Sequence, residues 1–472
     1  MRKEYPRPQF YRKDWLNLNG KWSCDFSKNI KGFSQSKINK KKFTKTINVP
    51  FCPESKLSGI GHTDFIQEMY YQKSFFIPKV WRNKKILLHF GGVDYQSTIF
   101  VNKKKVGSNI GGSTPFSVDI TSSISFDKRC PGSLGSTPWY YGDGTFDNEK
   151  LIKKWTLNKK RTQPRGKQSP HQHSWGCFYT RTTGIWQTVW LEAVDHIHLK
   201  NISIQSNLKT SEFVFIPDYS SKSHGNLKID TFFKNKKISS SVISTINKKF
   251  SIKIKNPKLW SIGQPNLYDF TFTLLNKNQS STHDVVKSYS GMRSIEIKKN
   301  KIYLNNKPLY QRLVLDQGFY PSGIWTAPSD KDLKNDIVLS MKAGFNGARL
   351  HEKVFEDRFH YWADKLGYIT WAEFPNWGMN ENAKASETSF MNEWPRIVNY
   401  LKNHPSIITW TPFNETNTLE CNAQHKKLMR KAYAITKKID PTRPVNETSG
   451  YQHQKTDIWT VHHYQPNPEK LK

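Results

Sequence analysis

An apolar, β-branched run, Ile407-Ile408-Thr409-Trp410, ends in Asn414-Glu415 and then gives way to polar sequence. A strand buried on both faces of a parallel sheet reads as a short apolar run of this kind. The sequence around it supplies helices at the right intervals. Ser329, with Asp332 at the capping-box position, precedes the stripe Leu333, Ile337, Met341, which Gly344 closes. Phe355, Phe359, Trp362 and Leu366 make a second stripe before Gly367, and Trp394, Ile397, Val398 and Leu401 a third before Pro405. A fourth helix runs from about 419 to Ile439 and stops at Asp440-Pro441. Between the helices lie strand candidates at Leu309–Leu315, Gly347–His351, Tyr368–Phe374, Ile407–Phe413, Val445–Thr448 and Asp457–Tyr464. Strands alternating with amphipathic helices predict a parallel (β/α)8 TIM barrel, of which these would be six strands out of eight.

On that fold, chemistry collects at the C-terminal ends of the strands. The candidates there are Asp316, then Arg349 and His351, then Glu373, then Asn414 and Glu415, and finally His462, His463 and Tyr464. A carboxyl such as Glu415 acts as general acid/base when burial and a neighbouring negative charge raise its pKa toward the working pH. The plainer alternative is an acid at a helix N-terminus, stabilised by the dipole. Arg349 either orients carboxylates or forms a structural salt bridge, and Glu373 either contacts a ligand or braces the mouth. A zinc set of His462, His463 and Glu415 lacks a supporting ligand motif, so no metal is expected.

Upstream of the barrel the pattern is all-β. Tyr70–Ile77, Ile86–Phe90 and Thr98–Val101 are short, aromatic or β-branched, and bounded by turn residues. Asn102 opens a hairpin turn, and Trp186 and Trp190 flank an apolar strand, where packing in the core explains them better than contact with a ligand. Residues 130–160 are Gly/Ser-rich and then charged, without alternation, and read as an irregular insertion spanning about 122–163 with no strand of its own. Alternation resumes over 195–297, in His196–Leu199, Leu227–Asp230, Phe250–Ile254 and Leu267–Leu275.

Several stretches together resemble one family. Asn403-His404-Pro405-Ser406, Trp410 and Asn414-Glu415 follow the pattern of glycoside hydrolase family 2, the β-galactosidase and β-glucuronidase group; Thr409 and Thr411 depart from it. LNLNGKW (16–22), GGSTPFSVDIT (111–121), Pro164–Gln168 and TTGIWQTVWLE (182–192) resemble that family's N-terminal domain, and Pro257–Ser261 with Pro265–Tyr268 its middle domain. The resemblance implies a jelly-roll sugar-binding-like β-sandwich at 1–194, an immunoglobulin-like β-sandwich at 195–297 and the barrel at 298–472. It also implies a retaining β-glycosidase hydrolysing O-glycosidic bonds. Glu415 would be the acid/base. Asn414, Arg349, His351, Glu373, His463, Tyr464 and Asp316 would surround the sugar. Double displacement uses two carboxyl groups roughly 5–5.5 Å apart and needs no metal or organic cofactor. No apolar strand ending in Glu follows Tyr464, so the nucleophile is expected beyond Lys472 and this chain alone is expected to be inactive. The alternative is a non-catalytic carbohydrate-binding remnant.

The net charge of +35 admits a nucleic-acid binder. The lysines instead fall in Asn/Lys punctuations such as Asn39–Lys42, Asn102–Lys105 and Lys298–Lys301, between β-like runs, where they serve as solvated turns. Carbohydrate is therefore the expected partner and nucleic acid is not. No apolar run approaches the ~18–20 residues of a membrane span. The N-terminus MRKEYPRPQF lacks an apolar signal core, and five scattered cysteines without CxxC spacing read as free thiols. The expected location is the cytoplasm.

Overall fold

The computed structural model describes residues 2–27, 43–126, 130–137, 163–221, 225–246, 248–416 and 421–471. Two antiparallel sheets form the first domain. One is six-stranded, in the order Lys45–Val49, Gly20–Ser27, Glu68–Phe75, Cys130–Thr137, Gln96–Val101, Lys104–Ile110. The other is four-stranded, in the order Trp15–Asn17, Val189–Val194, Lys85–Phe90, Phe116–Asp119. Alternate residues of both sheets, among them Trp22, Tyr71, Leu88, Ile99 and Leu191, meet in one core. The turn after Gln96–Val101 has Asn102 and Lys103 at φ 45° and 68°, the left-handed pair of a tight hairpin. Trp186 and Trp190 are buried, with their indole N–H groups on the Gly112 carbonyl and on Glu192.

The strand Cys130–Thr137 corrects the expectation of a strandless insertion from 130 onward. It pairs on one side with Glu68–Phe75 and on the other with Gln96–Val101. Its glycines and serines carry no alternation, so periodicity could not find it. Backbone ladders on both sides hold it, and a Cβ at Gly132 would meet the Phe75 ring at 3.1 Å. The remainder of the insertion, 138–162, lies outside the described residues.

The second domain packs the sheet Leu199–Asn207, Glu212–Tyr219, Phe250–Lys253 against the sheet Lys236–Ser244, Asn226–Phe233, Tyr268–Leu275, Thr282–Ser290. Tyr268–Leu275 alternates buried and half-buried residues along its whole length, and Phe213, Phe215, Phe270 and Phe272 fill the space between the sheets. This immunoglobulin-like sandwich is bonded to the barrel. Arg293 donates to the carbonyls of Pro405 and Ile407, both at 2.8 Å, at the start of the strand that leads to Glu415.

In the barrel, strands β1 (Leu313–Asp316), β2 (Gly347–Leu350), β3 (Ile369–Glu373) and β4 (Ile407–Thr411) form one parallel ladder. After a break at Pro412 the chain continues as β5 (Phe413–Thr416), which pairs in parallel with β6 (Thr448–Tyr451). Every residue of β3 and β4 is buried, as the apolar runs require. The helices between are α1 (Asp330–Lys342), α2 (Asp357–Leu366), α3 (Lys384–Leu401) and α4 (Ala423–Ile439). Ser329 caps α1 through the Asp332 N–H, and Gly367 closes α2 at φ 70°.

The expected sixth strand, Asp457–Tyr464, is not a strand. Side chains hold this segment in place of a ladder. Asp457 accepts from the Val445 N–H and Tyr433, and the Thr460 hydroxyl bonds the Gly450 N–H. The fifth expected strand is shifted, with a bridge at Val445 to Trp410 and regular pairing only over Thr448–Tyr451. Among the described residues, no helix is long and apolar enough to cross a membrane.

Candidate active site

The ends of β2, β3 and β5, with the strandless segment 457–464, deliver the site. Arg349, from β2, places Nε 2.6 Å and Nη2 3.1 Å from the two oxygens of Glu373 at the end of β3. The same Nη2 donates to the Asn414 side-chain oxygen at 2.6 Å on β5. Glu373 also accepts from His351 Nδ1 at 2.9 Å and from the Glu352 N–H at 3.0 Å. Its side chain is 0% exposed. Burial alone would push its pKa up, but the charges and hydrogen bonds of Arg349 and His351 outweigh burial and hold it down. Of the two roles open to Glu373, the geometry is that of a brace, with both oxygens occupied from the protein side.

Asn414 is fully buried. Its N–H donates to the Asn376 side chain at 2.7 Å, and its own amide nitrogen has no partner among the described residues. That leaves the two N–H groups of Nδ2 for a ligand. Glu415 follows at φ 46°, a left-handed conformation uncommon for a side-chain-bearing residue, which turns its carboxyl out of the strand. Oε1 accepts from His462 Nδ1 at 2.7 Å and from the Tyr464 hydroxyl at 2.8 Å. The side chain remains 18% exposed. His462 Nε2 faces Ser449 Oγ at 2.9 Å and Arg349 Nη1 at 3.4 Å.

The expectation of a raised Glu415 pKa is overturned. The His462 hydrogen bond is the largest influence, and together with Tyr464 and the charges on His462 and Lys167 it outweighs partial burial and brings the carboxyl to about 2. A raised carboxyl stands instead beside Glu373. Glu352, fully buried at φ 53°, is pushed well up by burial and by the charge of Glu373. Its carboxyl accepts from the Trp377 N–H at 3.1 Å.

Two expected members stand apart. The Asp316 carboxyl accepts from the Gly318 N–H at 2.9 Å, and burial, with Asp336 nearby, raises it to about 6. Its electrostatic partners are Asp336 and Lys353 rather than Glu415. His463 is exposed and accepts only from the Gln465 N–H. Its neighbour His462 takes the place at Glu415. The resemblance points to His463 with Tyr464; the segment has no strand ladder, and its path brings His462 and Tyr464 to Glu415 instead. Among the described residues no group of His, Cys, Asp or Glu could hold a metal ion.

The first domain also contributes to the mouth. Its loop at 163–181 reaches the mouth. The Arg165 N–H donates to the Trp377 carbonyl at 2.8 Å and the Gly166 N–H to the Pro375 carbonyl at 3.1 Å. Gly166 sits at φ 59°, and a Cβ there would lie 2.1 Å from the Glu352 carbonyl oxygen, so only glycine fits. Lys167 then lays its ammonium 3.5 Å from the centre of the Trp377 ring. Contacts between domains leave no periodic signal; the Pro164–Gln168 match was the one available pointer.

Comparison with known proteins bears on this assembly. Residues 21–130 match "Glycosyl hydrolases family 2, sugar binding domain", 198–293 match "Glycosyl hydrolases family 2", and 295–470 match "Glycosyl hydrolases family 2, TIM barrel domain". A Formosa agariphila protein carrying a beta-glucuronidase name is 28% identical over 434 residues, 87% of this chain and 47% of that protein. A beta-galactosidase of Thermoanaerobacter pseudethanolicus is 26% identical over 389 residues, 79% of this chain and 48% of that protein. The chain thus spans about half the length of these curated relatives. The β-glucuronidase from Ruminococcus gnavus, solved in complex with D-glucuronic acid, superposes with a TM-score of 0.78 over 93% of this chain and 74% of that one at 19% identity, a likeness of fold.

Proposed function

Because the chain belongs to glycosyl hydrolase family 2, whose members act on O-glycosyl bonds, we propose that its mouth binds a β-linked sugar and that Glu415 is the acid/base of a retaining β-glycosidase. The observation that carries the proposal is the pairing of Asn414 and Glu415. One offers a buried amide with a donor to spare, and the other a carboxyl turned toward solvent beside it. Asn414 Nδ2 would donate to a sugar hydroxyl next to the reacting carbon, and Arg349 holds that amide in orientation. The relatives' names point to a β-galactoside or β-glucuronide as substrate.

At neutral pH the carboxyl of Glu415 is ionised in the free chain. In that state it suits the second half of a double displacement, where a base takes a proton from water. To protonate a leaving group first, it must gain a proton on substrate binding, by losing the Tyr464 or His462 hydrogen bond and by deeper burial. Glu373 is no candidate nucleophile, since its oxygens already take four donors and never reach the mouth surface. Glu352 is buried, and burial and the charge of Glu373 push its carboxyl up. The proposal gives both a bracing role.

The test is turnover of aryl β-galactosides and β-glucuronides by the wild-type chain and by Glu415→Gln. With neither Glu373 nor Glu352 free to act as nucleophile, the chain by itself is expected to bind these glycosides with little or no turnover. Where the wild-type chain does turn one over, loss of roughly 10²–10⁴ in rate is expected for the variant. Undiminished turnover by the variant would contradict the assignment. The ionised state of Glu415 also favours a second reading, binding of carbohydrate without turnover; saccharide binding by a wild-type chain that turns over neither substrate would select it.

A further inference from the structure

Trp175 is 58% exposed, the side chain of a large apolar residue left in water beside the barrel mouth. It is held rigidly. Trp175 and Phe178 exchange both backbone hydrogen bonds, at 3.0 and 2.9 Å, across the turn Gly176-Cys177, with Gly176 at φ 55°. The base of this hairpin is tied down by the Tyr179 N–H on the Lys167 carbonyl and by the Thr180 N–H on Ser174 Oγ. The ring planes of Trp175 and Phe178 lie 10° apart.

The hairpin leads to the barrel mouth, where Trp377 carries Lys167, whose charge acts on Glu415. Phe178 lies 5.6 Å, centre to centre, from Trp377, and Trp377 lies 6.5 Å from His351, which bonds Glu373. Lys167 fixes the Trp377 ring from the first-domain side. On the outer side His171 meets the Trp175 ring edge at 5.4 Å, and His173 lies 6.2 Å from His171. A flat indole face bordered by imidazoles that can donate and accept suits a pyranose ring, which offers C–H groups on its faces and hydroxyls around its edge. One indole is far too small for a protein interface of ordinary size, which takes in about 1,200–2,000 Å².

We propose that the Trp175–Phe178 hairpin of the first domain, with Trp377 of the barrel, forms the subsite for the leaving-group sugar of a β-linked oligosaccharide. This rests on the β-glycosidase reading of the mouth and adds where the second ring goes. The subsite is built from two domains, so specificity for the leaving group resides in a loop that performs no chemistry.

The test compares one-ring and two-ring ligands on the full chain, with Glu415→Gln as background so that nothing is consumed. The probes are methyl β-D-galactopyranoside against lactose, and methyl β-D-glucuronide against a β-glucuronyl disaccharide, titrated by calorimetry. The two-ring ligand of the favoured pair is expected to bind about tenfold more tightly than its one-ring partner. Trp175→Ala should erase that gain and leave one-ring binding within about twofold, while Trp175→Phe, which keeps an aromatic face, should retain most of it. One-ring binding with a two-ring affinity that Trp175→Ala does not change would overturn the subsite and leave the β-glycosidase reading standing. Equal weakening of both ligands would overturn it as a mere effect on folding. Binding of neither probe by the Glu415→Gln background and the wild-type chain would overturn the subsite together with the reading beneath it.

Discussion

The mouth has two halves built on different terms. In the β2–β3 half, Arg349, His351, Glu352 and Glu373 are buried or nearly so, and the oxygens of Glu373 are fully engaged. In the half formed by β5 and residues 457–464, Glu415 is partly open, and both donors to it, His462 and Tyr464, come from a segment without a strand ladder. A closed network resists exchange of partners, because each lost bond leaves a buried charge unpaired. An open carboxyl can exchange a tyrosine hydroxyl for a ligand at small cost. Arg349 touches both halves, so the rigid half sets the position of the adaptable one.

The largest effect should come from breaking the closed half. Glu373→Ala strands Arg349 and His351, and should cost about 3–5 kcal/mol in denaturant unfolding. A cost under about 1 kcal/mol would mean that the two halves are alike. Next is Gly166→Ala, which puts a Cβ against the Glu352 carbonyl at a positive φ. It should destabilise by at least about 1 kcal/mol and weaken saccharide binding through displacement of the first-domain loop. Unchanged unfolding and binding would separate that loop from the mouth.

Smallest is Tyr464→Phe, which removes one donor to Glu415 from an exposed side chain. Stability should stay within about 0.5 kcal/mol, while the Glu415 pKa moves upward from about 2. The sign for pH follows. A carboxyl depressed in the folded state contributes stability that is present above its ordinary range and lost as pH falls toward about 2, so the acid limb of unfolding should move to higher pH in Tyr464→Phe. An acid limb identical in both proteins would contradict the role of Tyr464.

What could be read from residues follows the same division. The strands within 313–316, 347–350, 369–373 and 407–411 and the Ser329 cap are local patterns and stand where periodicity and capping chemistry put them, while Asn414 and Glu415 lie past a break at Pro412 in a further strand. Arg349 and Glu373 were legible as strand ends, although their mutual engagement was not. The choice of His462 over His463 was hidden, because the two are adjacent and only the path of a segment without a ladder decides which one reaches Glu415. The low pKa of Glu415 depends on two donors meeting at one oxygen, a three-dimensional fact. Cys130–Thr137 was missed because small residues carry no hydropathy rhythm even in a fully paired strand. Lys167, Trp175 and Trp377 converge from different domains, and no window of sequence contains them.

The central claim is that Glu415 is the carboxyl that meets the sugar and Glu373 the one that never does. Carbon-13 NMR of the glutamate side-chain carboxyls tests it most directly, with Glu415 and Glu373 assigned from Glu415→Gln and Glu373→Gln spectra and followed against pH with and without saturating methyl β-glycoside. The account predicts a Glu415 midpoint near 2 in the free chain that rises when the sugar binds, with the Glu373 signal unmoved by the sugar. A Glu415 midpoint near the ordinary 4.5 that ignores the sugar, or a Glu373 signal that responds to it, would contradict the account.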